Sequence, residues 1–374
     1  MNKIYEILCC IASFQLLLFA VFLFARNKGK AISNKMLGLF FLAKGISICD
    51  ILIRYNREFA AANAPWLFFI AGSFDFLFGP TLYLYVKSVV FNKFTLKKTD
   101  FIHLVPFVLY IVYITATYLV YSPDVQRKLL SSGFFTTVFM YYGIWSMYHG
   151  LVLVYMLLIL RVMVIYGGEI RNNYSNLKTV NLRWLKIVII GFVCMWSFYL
   201  INHTLYVVGL KMSGVLDLFG KLTLVGFSSF LILKVLSRPG ILPGINPPGG
   251  TRKEGDKKIR RDDLEKLTSY MKTEKPYLEP DLALQELAER TSFTPRRLSY
   301  IINTEFNKNF FDFINEYRVN EAKALLAGPE ASKRTILEIL YEAGFNSKSV
   351  FNSIFKKRTG YTPSEFKKNV LNSN

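Results

Sequence analysis

The stretch Thr335-Ile-Leu-Glu-Ile-Leu-Tyr-Glu-Ala-Gly344-Phe345-Asn-Ser347-Lys-Ser-Val-Phe351-Asn-Ser-Ile-Phe355 contains two helix starts separated by one tight turn. Thr335 is an N-cap residue ahead of the apolar stripe Ile336, Ile339 and Leu340, and its hydroxyl can accept from an otherwise unpaired N–H of the first turn. Gly344 supplies a turn residue that tolerates positive φ, and Phe345 follows as an apolar plug. Ser347 caps a second helix that turns Phe351, Ile354 and Phe355 inward and Lys348, Ser349, Asn352, Ser353 and Lys356 outward. A short helix, a turn and a second helix with one hydrogen-bonding face form a helix-turn-helix, whose second helix enters the DNA major groove.

The same arrangement occurs upstream. Leu284, Leu287 and Ala288 make a short helix, Thr291-Ser292-Phe293 a turn, and Thr294-Pro295 a cap followed by proline at the first helical position. The helix so opened has Leu298, Ile301 and Ile302 on one face and Arg296, Ser299, Tyr300 and Asn303 on the other. A longer helix, Phe310 to about Leu326, joins the two units, and the stripe Leu264, Leu267, Met271 precedes them, ending before Pro276. Two recognition helices on one rigid connector suit successive major grooves, about 34 Å apart.

These residues resemble the AraC-type transcription regulators. The resemblance is carried by Ile336 to Phe345, Asn346 to Phe351, Phe355-Lys-Lys357, Gly360-Tyr-Thr-Pro363 and Phe366. Leu284-Gln-Glu-Leu-Ala288, Arg297 to Ile302, and Tyr317-Arg318 with Ala322 carry it upstream. It covers roughly Pro276 to Lys368, and membrane-spanning members with an apolar N-terminal half exist in that family. The resemblance implies base contacts from Arg296, Ser299, Tyr300 and Asn303, and from Lys348, Ser349, Asn352 and Ser353. Arg297, Lys356 and Lys357 suit phosphate, which positions a protein without specifying sequence. Two positions depart from the pattern: Ala283 stands where a Ser or Thr cap is usual, and Asn307 where glycine is usual.

The rest of the chain is of another kind. Of 374 residues, 52% are hydrophobic and 19% charged, a shift toward lipid relative to the quarter charged in ordinary soluble proteins. Residues 1–250 carry 23 Lys/Arg against 8 Asp/Glu, a net of +15, whereas 251–374 carry 23 against 18, a net of +5. The basic excess thus flanks apolar segments, as membrane orientation requires. Seven stretches approach the 20 or so residues needed to span a bilayer: Ile4–Ala25, Met36–Ile53, Trp66–Val90, Leu104–Tyr121, Phe139–Leu160, Ile187–Leu210 and Leu216–Leu236. Loops after odd-numbered spans, together with Lys87 at the end of the third span, hold 13 Lys/Arg against 6 in the other segments, which predicts an N-terminus outside and a C-terminus inside the cell membrane. The expected organisation is all-α: a polytopic membrane bundle over 1–238, a Pro/Gly-rich and charged linker over 239–260, and a double helix-turn-helix domain over 261–374.

Several polar residues fall inside the spans, among them Lys44, Asp50, Asp75, His149, Asn202, His203, Asp217 and Lys221. Their cost at membrane depth makes them candidates for a signal-binding site or for interhelical glue, with Asp217 and Lys221 spaced to neutralise each other on one helix face. Cys9, Cys10, Cys49 and Cys194 all lie in apolar stretches, so neither a disulfide framework nor a metal site is expected. H-E-x-x-H, G-x-S-x-G and G-x-G-x-x-G are absent, and no catalytic role or cofactor is expected. The expected partners are promoter DNA, the bilayer, a small-molecule or membrane signal, and a second copy of the chain. A transporter or channel with a regulatory helical domain is the alternative from another class; a passive membrane anchor is a third.

Overall fold

The computed structural model describes residues 2–26, 31–91, 94–132, 142–177, 183–210, 214–237 and 259–373. The chain divides into two compact units, Met1–Met163 with Leu182–Asn246, and Val164–Asn181 with Pro247–Asn374. Of the expected linker, residues 239–258 lie outside the described residues.

The first unit opens with a hairpin of α1 (Asn2–Ala25) and α2 (Ala31–Tyr55). Two glycines allow their close approach: a Cβ at Gly38 would meet Phe24 at 2.8 Å, and one at Gly45 would meet Leu17 at 2.9 Å. The Ser13 hydroxyl donates to the Gly45 carbonyl at 2.9 Å, so small residues and a hydroxyl join the two helices at close range. Short α3 (Arg57–Asn63) follows.

The third expected span is broken. A 3₁₀ turn at Pro65–Leu67, α4 (Ile70–Ser73) and a second 3₁₀ turn at Phe74–Leu77 precede α5 (Phe78–Val90). Phe69 sits at φ 71°, in the left-handed region. The fourth runs through a 3₁₀ turn at Lys98–Leu104, α6 (Val105–Ile114) and a π turn at Thr115–Leu119. Next, α7 (Pro123–Ser131) is tied back by Gln126, whose amide donates to the carbonyls of Tyr118 and Tyr121 at 3.3 and 3.1 Å. Arg127 reaches the ends of α3, donating to the Ala61 and Ala62 carbonyls. Three long helices complete the apolar part: α8 (Ile144–Asn173), α9 (Arg183–Val207) and α10 (Gly214–Ser237).

Among the described residues, six segments are long and apolar enough to cross a membrane: Lys3–Ala25, Ala31–Tyr55, Pro65–Val90, Lys98–Leu119, Ile144–Asn173 and Leu185–Leu205. The seventh expected span falls in α10, within which Leu218–Leu233 is an apolar stretch. The unit's core is aromatic. Phe40 of α2 meets Phe78 of α5 and Phe192 of α9 at ring separations of 5.3 and 4.4 Å, and Phe192 meets Phe227 of α10 at 5.2 Å. Apolar side chains also cover the outside: α1 exposes Ile4, Ile7, Ile11, Phe14, Leu18 and Val21 while burying Tyr5, Cys9, Ala12, Leu16 and Phe19.

The second unit contains α11 (Arg261–Thr273), α12 (Leu284–Arg290), α13 (Pro295–Glu305), α14 (Phe310–Ala327), α15 (Ile336–Glu342), α16 (Lys348–Thr359) and α17 (Pro363–Ser373). It has two cores on one connector. Phe310, Phe313 and Ile314 at the start of α14 join Leu267, Leu287, Leu298 and Ile301 in the first. Val319, Ala322 and Leu326, toward its end, join Ile339, Leu340, Phe345, Phe351 and Phe355 in the second.

Candidate nucleic-acid interface

Each recognition helix is fixed by its apolar side. In the first half, α12 begins without a side-chain cap at Ala283, and the Glu286 carboxylate instead accepts from the Ala283 N–H at 3.0 Å. The turn after it puts Ser292 at φ 57°, and the Phe293 N–H returns to the Ala288 carbonyl at 2.8 Å. Thr294 caps α13, its hydroxyl accepting from the Arg297 N–H at 3.2 Å. With Leu298, Ile301 and Ile302 buried, Arg296 and Asn303 are exposed and Ser299 and Tyr300 half-buried on the opposite side. The Asn303 amide donates to the Ser299 hydroxyl at 3.3 Å. Asn307 takes the left-handed conformation, φ 51°, as asparagine does more readily than other non-glycine residues.

The second half is capped more completely. The Thr335 hydroxyl accepts from the Glu338 N–H at 3.2 Å, and the Glu338 carboxylate accepts from the Thr335 N–H at 2.6 Å, a reciprocal capping box. These bonds hold the Glu338 carboxyl below the usual carboxylate range. Gly344 lies at φ 82°, and a Cβ there would come within 2.7 Å of the Leu278 Cα. Ser347 caps α16 by accepting from the Val350 N–H at 3.4 Å. Phe351 and Phe355 point into the core, leaving Lys348, Ser349, Ser353, Lys356 and Lys357 exposed and Asn352 half-buried. The Asn352 Oδ1 finds no hydrogen-bond partner among the described residues. Each helix therefore gathers its four expected base-reading side chains on the face away from its core.

Arg297 has a further occupation. Its Nη2 donates to the Asp263 carboxylate of α11 at 2.6 Å, a pair that is mostly shielded from solvent and lowers the Asp263 pKa. Arg318 received no separate role in the sequence reading beyond the resemblance. It is 2% exposed on α14, with its Nε donating to the Tyr277 carbonyl at 2.7 Å and Nη2 to those of Glu279 and Pro280 at 2.7 and 3.1 Å. Burial pulls this guanidinium down to about 10, still charged at neutral pH. Its only sequence signal is a lone arginine among apolar positions of a helix. Arg358, also missed, anchors the end of α16 to α14 by donating to the Asp312 carbonyl at 2.6 Å.

In the first unit the polar residues form small groups. Lys44 donates to Asp75 at 2.9 Å, and Ser47 donates to the same oxygen at 2.6 Å. Arg54 donates to Asp50 at 2.6 Å from one turn away. His203 Nε2 shares a hydrogen bond with the Ser146 hydroxyl at 3.0 Å, and its ring lies 4.9 Å from that of His149. The His149 Nδ1 and Asn202 Oδ1 are enclosed without a partner among the described residues. The side chains of Asp217 and Lys221 lie outside the described residues. Asp75 pairs instead across helices, with α2, from the broken third segment. No group of His, Cys, Asp and Glu suited to a metal occurs among the described residues.

Residues 287–369 match the family described as "Helix-turn-helix domain". Over 62 residues the chain is 42% identical to an uncharacterised HTH-type transcriptional regulator in the cgkA 5′ region of Pseudoalteromonas carrageenovora, covering 17% of this chain and 34% of that protein. It is 29% identical over 98 residues to the transcriptional activator RhrA of Rhizobium meliloti, 26% of this chain and 31% of that one. It is 27% identical over 84 residues to the arabinose operon regulatory protein of Escherichia coli, 22% and 28%. The C-terminal region thus carries a helix-turn-helix domain of the AraC type. The chain spans about a third or less of the length of these relatives. No solved structure gives a significant match.

Proposed function

We propose that this protein is a membrane-embedded, one-component transcription regulator that binds promoter DNA through both helix-turn-helix units. One observation carries the reading: two capped helices, α13 and α16, bury their apolar sides in separate cores and leave polar and basic side chains on their outer faces. Arg296 and Asn352 are the side chains suited to bidentate pairing with guanine and adenine edges, and Ser299, Tyr300, Asn303, Lys348, Ser349 and Ser353 complete the reading faces. Lys356 and Lys357 bind phosphate; Arg297 does so while also holding Asp263.

Membrane embedding is supported by apolar helices whose outer faces carry exposed Ile, Leu, Val and Phe, a surface that water-soluble monomers avoid at this extent. The loop charges favour an external N-terminus and a DNA-binding part in the cytoplasm. The signal site is the set of intramembrane polar groups around Lys44–Asp75 and His149–His203; a signal acts there by its unequal affinity for two states of the bundle. Pairing of two copies in the membrane raises the effective concentration of a domain with a net charge of only +5.

The test uses the full chain in lipid nanodiscs and a duplex enriched from a randomised pool. Arg296→Ala with Asn352→Ala weakens binding to that duplex by at least tenfold, at about 1–3 kcal/mol per base contact, and relaxes sequence preference. Lys356→Ala weakens all duplexes alike and flattens the salt dependence. Undiminished affinity and selectivity in the double variant removes the site assignment. Release of the chain from membranes by alkaline carbonate, or a C-terminal reporter active only outside the cytoplasm, removes the membrane reading.

A further inference from the structure

The second unit contains a segment that is remote from it in sequence. Residues Val164–Asn181, the end of α8 and the turn after it, belong to the same compact unit as the two helix-turn-helix halves. Tyr174 pairs with Ala283 as an isolated antiparallel bridge. The Ser175 N–H donates to the Leu282 carbonyl at 3.2 Å, and its hydroxyl donates to the same oxygen at 2.6 Å. That hydroxyl accepts from Arg318 Nη2 at 3.2 Å, while the Ser175 carbonyl accepts from Arg318 Nη1 and the Asn315 amide, each at 3.4 Å. The Asn176 amide donates to the Asp281 carboxylate at 2.7 Å. Ser175 is 2% exposed and Asn176 6%.

Three properties make this a built seat. Its donors and acceptors come from separate elements: the Asp281–Ala283 segment leading into α12, and Asn315 and Arg318 in the middle of α14, between the two cores. It reaches both halves, because the oxygen of Asp281 that binds Asn176 also accepts from Asn346, at the turn before α16, at 3.4 Å. It also pairs with Ala283, the helix start that lacks a side-chain cap.

We infer that Tyr174–Asn176 is a docking strap whose occupancy of the Asp281–Ala283/Arg318 seat holds the two helix-turn-helix halves in DNA-reading register. The inference rests on the DNA-binding reading above. The docked state is the reading-competent one, because with the strap seated Arg296, Asn303, Lys348, Ser349 and Ser353 remain exposed. The strap leaves directly from α8, which is one continuous helix from Ile144 to Asn173. Gly167 and Gly168 lie in that helix with open space where a Cβ would stand, so no packing requires them, and each weakens the helix relative to alanine. A signal that shifts or unwinds α8 draws the strap from its seat and lowers DNA affinity.

The test again uses the full chain in nanodiscs and the duplex enriched by the unmodified protein. Asn176→Asp sets two carboxylates against each other and weakens duplex binding about tenfold, the size of one charged-group hydrogen bond. Asn176→Asp with Asp281→Asn exchanges donor and acceptor and restores binding, which a merely damaged fold would not do. In a background whose four native cysteines are alanine, Asn176→Cys with Asp281→Cys cross-links on mild oxidation, and the linked form binds the duplex at least as tightly as the reduced form. Cross-linking no greater than for Asn176→Cys with Glu289→Cys overturns the seat. Full affinity in Asn176→Asp, no rescue by the exchange, or weaker binding by the linked form overturns its regulatory role. Enrichment of no duplex by the unmodified chain removes the DNA reading itself, and the cross-link alone then decides the seat.

Discussion

The two helix-turn-helix halves have the same layout but differ in how much of it each half secures for itself. The second closes α15 with a reciprocal Thr335–Glu338 box, turns at a glycine and caps α16 with Ser347. The first starts α12 at an alanine, turns at Ser292 in the left-handed region, and draws support from elsewhere. The Asp263–Arg297 pair clasps α13 to α11, and Tyr174 pairs with Ala283. Local capping secures the helix starts of the second half from within, whereas the first half draws on distant partners, which is where the inferred strap would act.

Arg318 touches both halves, bonding the 277–280 segment ahead of α12 and lying 5.8 Å over the Phe345 ring of the second half, and its removal has the largest effect. Arg318→Ala strips donors from the Tyr277, Glu279 and Pro280 carbonyls and destabilises the second unit by about 1–3 kcal/mol for each acceptor left unsatisfied, read as a fall in urea midpoint by pulse proteolysis of the full chain. If the midpoint is unmoved, Arg318 does not join the halves.

The turns sharpen the contrast. Gly344→Ala forces a Cβ against the Tyr277–Leu278 backbone at φ 82° and costs about 2–3 kcal/mol. Ser292→Gly at φ 57° raises stability by up to about 1 kcal/mol. Equal responses at the two turns would erase the distinction.

Supplying the missing cap is a smaller change. Ala283→Ser adds about 1 kcal/mol of stability, measured in the same assay, and lessens the dependence of DNA affinity on the strap. The smallest effect is acid-dependent. Arg297 holds the Asp263 carboxyl below its ordinary value, so the pair's contribution is complete above the unfolded carboxyl value, near pH 4, and disappears as pH falls through the lower folded value. The stability gap between wild type and Asp263→Asn narrows over that acidic range; a gap independent of pH would show that the pair contributes nothing electrostatic.

The sequence made the helix-turn-helix halves legible because their signals are local. Thr294-Pro295, Thr335 and Ser347 announce helix starts within four residues, and the stripes at 298, 301, 302 and 351, 354, 355 identify the inward faces. The apolar segments were legible by length and composition. Interruptions within them were less so: the break at Phe69 lies in the apolar run Trp66–Ala71, and the 3₁₀ turn at Phe74–Leu77 follows it with only Gly72, Ser73 and Asp75 as polar or small residues. The amphipathic α3 and α7 fell in stretches read as loops, since their anchors, Arg127 to Ala61 and Gln126 to Tyr118, depend on tertiary contacts. Ion pairing followed the same rule. The i, i+4 spacing of Asp217 and Lys221 was visible in sequence, but the described pair Lys44–Asp75 joins positions 31 apart. The Ser175–Leu282 contact spans 107 positions, and no local pattern encodes it.

Because the first turns of α14 are fixed in one core and its last turns in the other, this helix acts as a ruler. Its 18 residues measure about 27 Å at 1.5 Å each. One residue inserted between Ile314 and Val319 would lengthen it by only that increment but rotate one head about 100° around the axis relative to the other. Under the proposed DNA reading, a connector fixed at both ends would accept one spacing and one angular phase between its two half-sites, and a shift in either would cost binding.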